Sequence, residues 1–366
     1  MRAALLASPA TPLVMTDIEC ADPGPGQVRV RVTHCGLCHS DLTLIDAPEG
    51  LAPIILGHEA AGIVDAVGTG VSTLAPGDHV MLSPFGPCGV CYWCVRGETV
   101  HCAAAMSMFT GTLPDGSVPF SLEGRPVYRG LGVAGFGELT VVAASAAVKI
   151  DPDIPLEVAA VIGCATQTGV GAVLNTAKVE EGATVLVMGL GGVGMSVVQG
   201  ARLAGACRIF ASDPVADRRN AAIAFGATDL LDPSTTDVVA HVLEVTGGVG
   251  VDYAFDAAGA GPLVEAGLAA TRTGGTTVMV GAPALEHTVT INPAVLYLTQ
   301  GKKLLGCLYG DCNSQREVPR LLALWQTGRL DLEPMITARR PIDEINAGLD
   351  DLRASVGIRT VFNLGV

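Results

Sequence analysis

Aromatic side chains are scarce in this chain, at 4% of 366 residues, and charged ones make up only 16%. Basic charge is scarcest: 22 Lys and Arg stand against 36 Asp and Glu, a formal net charge of −14. Little charge beside 49% hydrophobic residues excludes a disordered chain, which could not bury enough apolar surface to fold. The acidic balance argues against nucleic acid or an anionic membrane as partner, because both select clustered Lys and Arg. A secretory signal is also missing. Met1-Arg2-Ala3-Ala4-Leu5-Leu6 opens no long apolar run and no cleavage pattern follows. One stretch, 182–201, lacks charge over the length a membrane helix needs. It carries Gly182, Gly189, Gly191, Gly192, Gly194 and Gly200, so a strand, a glycine turn and a helix explain it better. A soluble cytoplasmic protein is expected.

What is present in excess is glycine, 46 residues, and cysteine, eleven. Many glycines with few aromatics suit an α/β protein rich in tight turns. The length suggests two domains or three. An odd number of cysteines without a signal peptide does not read as a disulfide framework, so metal or thiolate chemistry is expected.

Residues 1 to about 150 read as β-rich. Gln27-Val28-Arg29-Val30-Arg31-Val32 alternates with period two, as a half-buried strand does. Short apolar runs at 62–67, 78–82 and 138–142 are separated by Gly- and Pro-rich turns. Past Asp151-Pro152-Asp153-Ile154-Pro155 the rhythm changes. Strands are predicted at 184–188, 208–212, 251–255 and 276–280. Helices are predicted at 192–204, 217–225, 238–245 and 262–270. Repeated βα units imply a parallel, doubly wound sheet. After about 306, helices at 314–327 and 342–353 and a last strand at 359–362 suggest a return to the first domain.

Gly189-Leu190-Gly191-Gly192-Val193-Gly194 fits G-x-G-x-x-G, after a predicted strand and at the start of a predicted helix. That context makes a weak motif strong. The first Gly permits the tight turn, the second lets backbone approach a pyrophosphate, and the third lets helix and strand pack. The helix start offers free N–H groups to phosphate. Asp213, nineteen residues after Gly194, stands where an acidic side chain would hydrogen-bond the adenosine ribose. NAD is therefore favoured over NADP, although Arg218 and Arg219 follow closely.

Cys88, Cys91, Cys94 and Cys102 place four thiolates within fifteen residues. Such spacing builds a closed tetrahedral zinc site, which is structural because no coordination position stays open. Gly86, Pro87, Gly89 and Gly97 supply its turns. Cys38, His58 and Cys164 are scattered. Two thiolates, an imidazole and an open position would make a catalytic zinc site. From spacing alone, they read equally as a buried small hydrophobe or a structural His.

Taken together and in order, these residues resemble the zinc-dependent medium-chain alcohol dehydrogenases. They are Cys38-His39-Ser40-Asp41, Gly57-His58-Glu59, the four-cysteine knuckle, Cys164, the glycine fingerprint and Ile358-Arg359-Thr360-Val361. The resemblance covers nearly the whole chain and points to the liver-type or class III-like branch with a long loop after the knuckle, here 103–128. It implies a GroES-like β domain over 1–165 and 307–366, a Rossmann domain over 166–306, and an active-site cleft at their junction. It further implies two zinc ions per chain and NAD. Cys38, His58 and Cys164 would ligate the catalytic zinc, and Asp41 and Glu59 would support those ligands from outside. Ser40 would accept the alcohol proton. Thr168 and Val193 would line the nicotinamide, and His39 and Arg359 would touch the pyrophosphate. A homodimer through the dinucleotide-domain sheets is implied as well.

One departure concerns the proton path. Many liver-type members end it in a His five residues after the first zinc Cys, where this chain has Thr43. The path would then end in water or at His39. The substrate lining reads as apolar, with Pro84, Phe85, Trp93 and Leu308 as candidates that are equally core residues. The expected reaction is hydride transfer between a primary alcohol, aliphatic or aromatic, and NAD. The alternatives are oxidation of a formaldehyde–thiol adduct, which needs a cationic pocket, and an enzyme that holds NAD tightly and uses a second substrate. Cys20, Cys35, Cys207, Cys307 and Cys312, with His79, His101, His241 and His287, read as structural.

Overall fold

A computed structural model describes residues 1–283 and 286–365. The chain forms two compact units. The first comprises Met1–Ala165, Asn313–Trp325 and the C-terminal segment from Leu332; the second comprises Thr166–Cys312 and Gln326–Asp331.

The first unit is built on strand Gln27–Gly36, which is longer than the alternation at 27–32 suggested. Val28, Val30 and Val32 are completely buried. Between them Arg29 and Arg31 point outward, and both reach Asp65 on the neighbouring strand Glu59–Val67. The alternation thus places a core on one face and cross-strand ion pairs on the other. Around this strand lies a seven-stranded sheet that also holds His79–Leu82, Leu139–Ala143, Ala147–Lys149, Ile336–Pro341 and Arg359–Asn363. A six-stranded sheet carries Arg2–Leu6, Val14–Asp17, Glu19–Cys20, Ile54–Ile55, Phe120–Leu122 and Arg125–Arg129. One apolar core joins residues of both, including Leu6, Ile55, Val127, Phe136 and Phe362.

The second unit has one parallel sheet of six strands. Their spatial order is Asp229–Leu231, Arg208–Ser212, Thr184–Met188, Val251–Asp256, Thr271–Met279, Lys303–Gly306. That is the 3-2-1-4-5-6 order of a dinucleotide-binding fold. The crevice for a ligand opens where the order reverses, at the carboxyl ends of Thr184–Met188 and Val251–Asp256.

The charge-free stretch at 182–201 divides into strand Thr184–Met188 and helix Gly192–Leu203. One other helical run, Leu156–Ala177, is long and apolar enough to cross a membrane, but 83% of its most apolar window is buried inside the protein. It is a core helix.

The boundary differs from the expected 307. Residues 307–312 belong to the second unit, as do 326–331. The reason is visible in the contacts: Tyr309 accepts a bond from Gln167, the Gly310 carbonyl from Asn175, and the Asp331 carbonyl from Gln199.

Candidate active site and metal centres

The first site grows from strand register. Gln27–Gly36 and Glu59–Val67 run antiparallel with Gly36 opposite Glu59. The residues just beyond that pair, Cys38 on one side and His58 on the other, are therefore neighbours. A side chain on Gly36 would put its Cβ 2.3 Å from Glu59 Oε2, so glycine makes room for the Glu59 carboxylate. Cys164 comes from a π-helical turn, Ile162–Thr166, within the buried helical run. One wide turn of this kind re-aims a side chain, and such turns are frequent at functional sites. Cys38, His58, Glu59 and Cys164 offer ligand atoms that all lie within 4.8 Å of one another.

Asp41 holds this set together. Its Oδ1 accepts from His58 Nδ1 at 3.1 Å and from the Gly57 N–H at 3.0 Å, and its Oδ2 accepts from the Cys38 N–H at 3.1 Å. With Nδ1 engaged, His58 presents the lone pair of Nε2, the atom a metal would take. Asp41 and Glu59 are fully buried. Glu59 Oε1 accepts from the Ala165 N–H at 3.2 Å and pairs with Arg359 at 3.3 Å, while Oε2 has no hydrogen-bond partner among the described residues.

The electrostatics suit a cation. The Cys164 thiol draws the Cys38 thiol well below its ordinary range, and His58 and Arg359 act in the same direction against burial. Burial pushes the Glu59 carboxyl up to about 8, although the Arg359 charge works against it. Two sulfurs and an imidazole form a donor set that fits zinc with a coordination position left open, and the buried Glu59 carboxyl lies beside it. A bound divalent ion would supply the positive charge this cluster of acidic groups lacks.

The remaining residues expected here are placed as follows. Ser40, in the first turn of helix His39–Asp46, lies with its Oγ 3.9 Å from Cys38 Sγ. Thr43 lies on the same helix, and its hydroxyl donates to the His39 carbonyl at 3.1 Å. His39 is exposed. Arg359 is buried, donating to the Leu37 carbonyl at 2.8 Å and facing Glu59. This tie to the cysteine–histidine cluster was not legible in the sequence.

Cys88, Cys91, Cys94 and Cys102 also converge, with ligand atoms within 4.8 Å of one another. Gly89 and Gly97 have φ of +79° and +81°, conformations that glycine adopts without strain. The Cys88 N–H donates to Cys102 Sγ at 3.2 Å. The Cys94 N–H draws the Cys91 thiol down to about 6, and burial pushes Cys94 up to about 12. A cation would complete the deprotonation, as thiolate ligation does.

In the second unit the fingerprint glycines have separable duties. A Cβ on Gly194 would fall 1.8 Å from the Gly189 carbonyl oxygen, so strand-to-helix packing forbids one. Gly189 has φ +91° and abuts Ala258 beyond the adjacent strand. A Cβ on Gly191 would meet nothing among the described residues within 4 Å, which leaves the space a pyrophosphate cradle would need. Gly192 and Val193 open the helix that follows, and Arg218 lies half-buried on helix Ala216–Phe225. Asp213 accepts from the Leu190 N–H at 2.7 Å and the Val215 N–H at 2.8 Å. Arg219 is committed to the Asp213 carbonyl and to Asp232. Thr168 lies on helix Gln167–Gly171, which touches the fingerprint helix: a Cβ on the next residue, Gly169, would be 2.4 Å from the Val193 carbonyl oxygen. The helix that carries Thr168 is thereby packed on the helix that carries Val193.

Residues 24–152 match the alcohol dehydrogenase GroES-like domain, and 192–327 match the zinc-binding dehydrogenase domain. The chain belongs to the zinc-dependent medium-chain alcohol dehydrogenase family, and its character is class III-like. It is 38% identical to an S-(hydroxymethyl)glutathione dehydrogenase of Photobacterium damsela subsp. piscicida, over 99% of each chain. Among solved structures, it is similar to an alcohol dehydrogenase zinc-binding domain protein from Burkholderia ambifaria (34% identity, TM-score 0.94). It is also similar to benzyl alcohol dehydrogenase from Acinetobacter calcoaceticus (30%, TM-score 0.93). Both likenesses cover 100% of this chain and 99% of the other. It is a zinc-dependent, NAD-linked oxidoreductase.

Proposed function

We propose that this chain transfers hydride between a primary alcohol, aliphatic or aromatic, and NAD. The observation that carries the reading is the convergence of Cys38, His58 and Cys164 on one buried spot, braced by Asp41. These three would hold the catalytic zinc, which when bound acts as a Lewis acid on the alcohol oxygen. Asp41 fixes the tautomer of His58. Ser40 takes the alcohol proton, because its hydroxyl lies beside Cys38. Thr43 does not extend the path, since its hydroxyl is spent on the His39 carbonyl. From Ser40 the proton would leave toward water or the exposed His39. Cys88, Cys91, Cys94 and Cys102 would hold a structural zinc. Gly189 to Gly194 would cradle the pyrophosphate, with Arg218, His39 and Arg359 as further contacts and Asp213 reading the ribose. Thr168 and Val193 would line the nicotinamide.

A second reading, oxidation of a formaldehyde–thiol adduct, is supported by the name of the Photobacterium relative. It requires a cation for the carboxylates of the thiol carrier. Arg129, at the end of the long loop, does not supply one: it is buried and donates to the carbonyls of Thr112 and Gly132. The alcohol reading is therefore preferred. Turnover with NAD on aliphatic and benzylic alcohols and on formaldehyde plus glutathione decides between them. A kcat/KM for the adduct above that of every simple alcohol would overturn the preference. If added NAD is not reduced but an artificial hydride acceptor restores turnover, the cofactor is tightly held.

A cytoplasmic location is supported by Cys20, Cys35, Cys207, Cys307 and Cys312, which lie outside the proposed zinc sites in no disulfide, as a reducing compartment preserves them. A homodimer is supported by strand Lys303–Gly306, which ends the parallel sheet and has no second partner strand among the described residues. Val295, Tyr297 and Leu298 stand exposed just before it, Leu298 at 84%. An open edge beside exposed apolar side chains invites pairing with a second copy. Sedimentation equilibrium showing a monomer at micromolar concentration would overturn this.

A further inference from the structure

Arg129 ends strand Arg125–Arg129 and is 3% exposed. Its Nη1 donates to the Gly132 carbonyl and its Nη2 to that of Thr112 at 2.7 Å, while Nε has no hydrogen-bond partner among the described residues. Neither acceptor carries a charge. Burial pulls the guanidinium down to about 10, against the charge of Asp115. A buried cation held only by neutral carbonyls costs stability, and an apolar side chain of similar volume is often the more stable filling. Stability alone therefore does not account for Arg129.

The two carbonyls belong to different segments of the first unit. Thr112 lies in the long loop, just after the short helix Ala105–Phe109, on which Met108 is buried. The main-chain N–H of Arg129 also takes the Gly111 carbonyl of that loop, at 2.9 Å. Gly132 lies in a turn where Leu131, Gly132 and Ala134 have φ of +46°, +75° and +60°. Left-handed backbone at Leu131 and Ala134 costs energy and persists where the surroundings over-determine it. Those surroundings lead to the candidate metal centre. A Cβ on Gly132 would be 2.5 Å from the Pro84 carbonyl oxygen and 3.2 Å from Met108 Cβ. Beyond the turn, the Gly135 N–H donates to the Gly57 carbonyl at 2.7 Å and the Phe136 N–H to that of Leu56 at 2.9 Å. The turn is thus pressed on Pro84 and Met108 in its middle and tied at its end to the residue before His58.

We propose that Arg129 is a positioning residue for substrate choice. Its planar fork clamps the long loop to the left-handed turn, holding Gly132 and Met108 against Pro84 as one rigid wall of the alcohol pocket, which favours a bulky aromatic alcohol over a short aliphatic one. The inference rests on the alcohol reading above and narrows it. Arg129 acts through the wall and does not touch the reacting atoms.

The test measures kcat and KM for benzyl alcohol and for ethanol at saturating NAD, in the zinc-loaded parent and in Arg129→Met, Arg129→Lys and Gly132→Ala, with zinc content and Tm recorded. A loosened wall forfeits contacts that only the larger alcohol reaches. Arg129→Met should raise KM for benzyl alcohol about tenfold, with kcat and the KM for ethanol within about twofold of the parent. Arg129→Lys keeps the charge but not the two-pronged geometry, so it should not rescue the loss. Gly132→Ala pushes on the Pro84 carbonyl without altering the guanidinium, and should shift the ratio of the two KM values by a similar factor. An unchanged ratio, an equal loss on both alcohols, or an Arg129→Lys variant that behaves as the parent overturns the role. If Arg129→Met does not fold, Gly132→Ala decides, and an unchanged ratio there overturns it. A parent that oxidises neither alcohol overturns the alcohol reading, and this inference with it.

Discussion

The main-chain N–H of Leu190 donates to Asp213 Oδ2 at 2.7 Å, tying the fingerprint turn to the end of the neighbouring strand. The other oxygen takes the Val215 N–H. One buried carboxylate thus shapes two loops before any cofactor arrives. Asp213→Ala leaves both donors unsatisfied, at a cost of about 1–3 kcal/mol each where buried. A lower urea midpoint and a raised KM for NAD are expected together. Asp213→Asn keeps one acceptor but removes the charge that, on the proposed reading, repels a 2′-phosphate. Preference for NAD over NADP should then fall roughly tenfold, the scale of one lost charge contact; unchanged NADP use would dissociate Asp213 from that preference.

Ser40→Ala should lower kcat by about a hundredfold, the lower range for loss of a positioned proton acceptor. Thr43→Ala should leave kcat near the parent value, because the Thr43 hydroxyl bonds its own helix. Equal losses in steady-state kinetics would sink this proton path.

The two cysteine clusters should fail differently. Cys164→Ala should abolish turnover and release one zinc per chain, with circular dichroism unchanged. Cys94→Ala should also release one zinc, but should lower Tm and promote aggregation, because the knuckle has only the four-residue helix Tyr92–Val95 and the 3₁₀ turn Thr99–His101 of its own. Metal content and thermal melting on both variants check this; identical melts would refute the division of roles.

Arg208 holds the Asp229 carboxyl below its usual range through a two-pronged contact at 2.6 and 2.9 Å. A lowered folded-state pKa stabilises fully above the unfolded value, about 3.9, and loses that contribution as pH falls through the folded value. Asp229→Asn should therefore destabilise by at most about 1 kcal/mol at pH 7, since the pair is partly exposed. The gap from the parent should close toward pH 2. Urea unfolding at both pH values measures it, and a constant gap would mean that charge is not the cause.

Local signals were legible where the pattern is local. The knuckle lies within fifteen residues, and the fingerprint carries its own strand, turn and helix. Strands 184–188 and 208–212 were readable because both their ends are marked by turn residues. Cys38, His58 and Cys164 were legible only through family resemblance, since their meeting depends on strand register and a π-helical turn. Short strands such as Lys303–Gly306 and Ile336–Pro341 were missed because pairing, rather than composition, makes them strands. Nothing in Tyr309-Gly310-Asp311 announces two non-glycine residues with left-handed backbone. That conformation is imposed by Gln167, Asn175 and Thr176 from far along the chain.

Asp41 grips Cys38, Gly57 and His58 with protein bonds alone. Two of the three residues proposed to ligate zinc are thus already held by the protein itself, and Glu59 is anchored by Arg359 and Ala165. Such a cavity can be emptied and refilled. Cobalt in place of zinc should enter without refolding and report ligand geometry through its visible absorption, while the knuckle keeps its original ion.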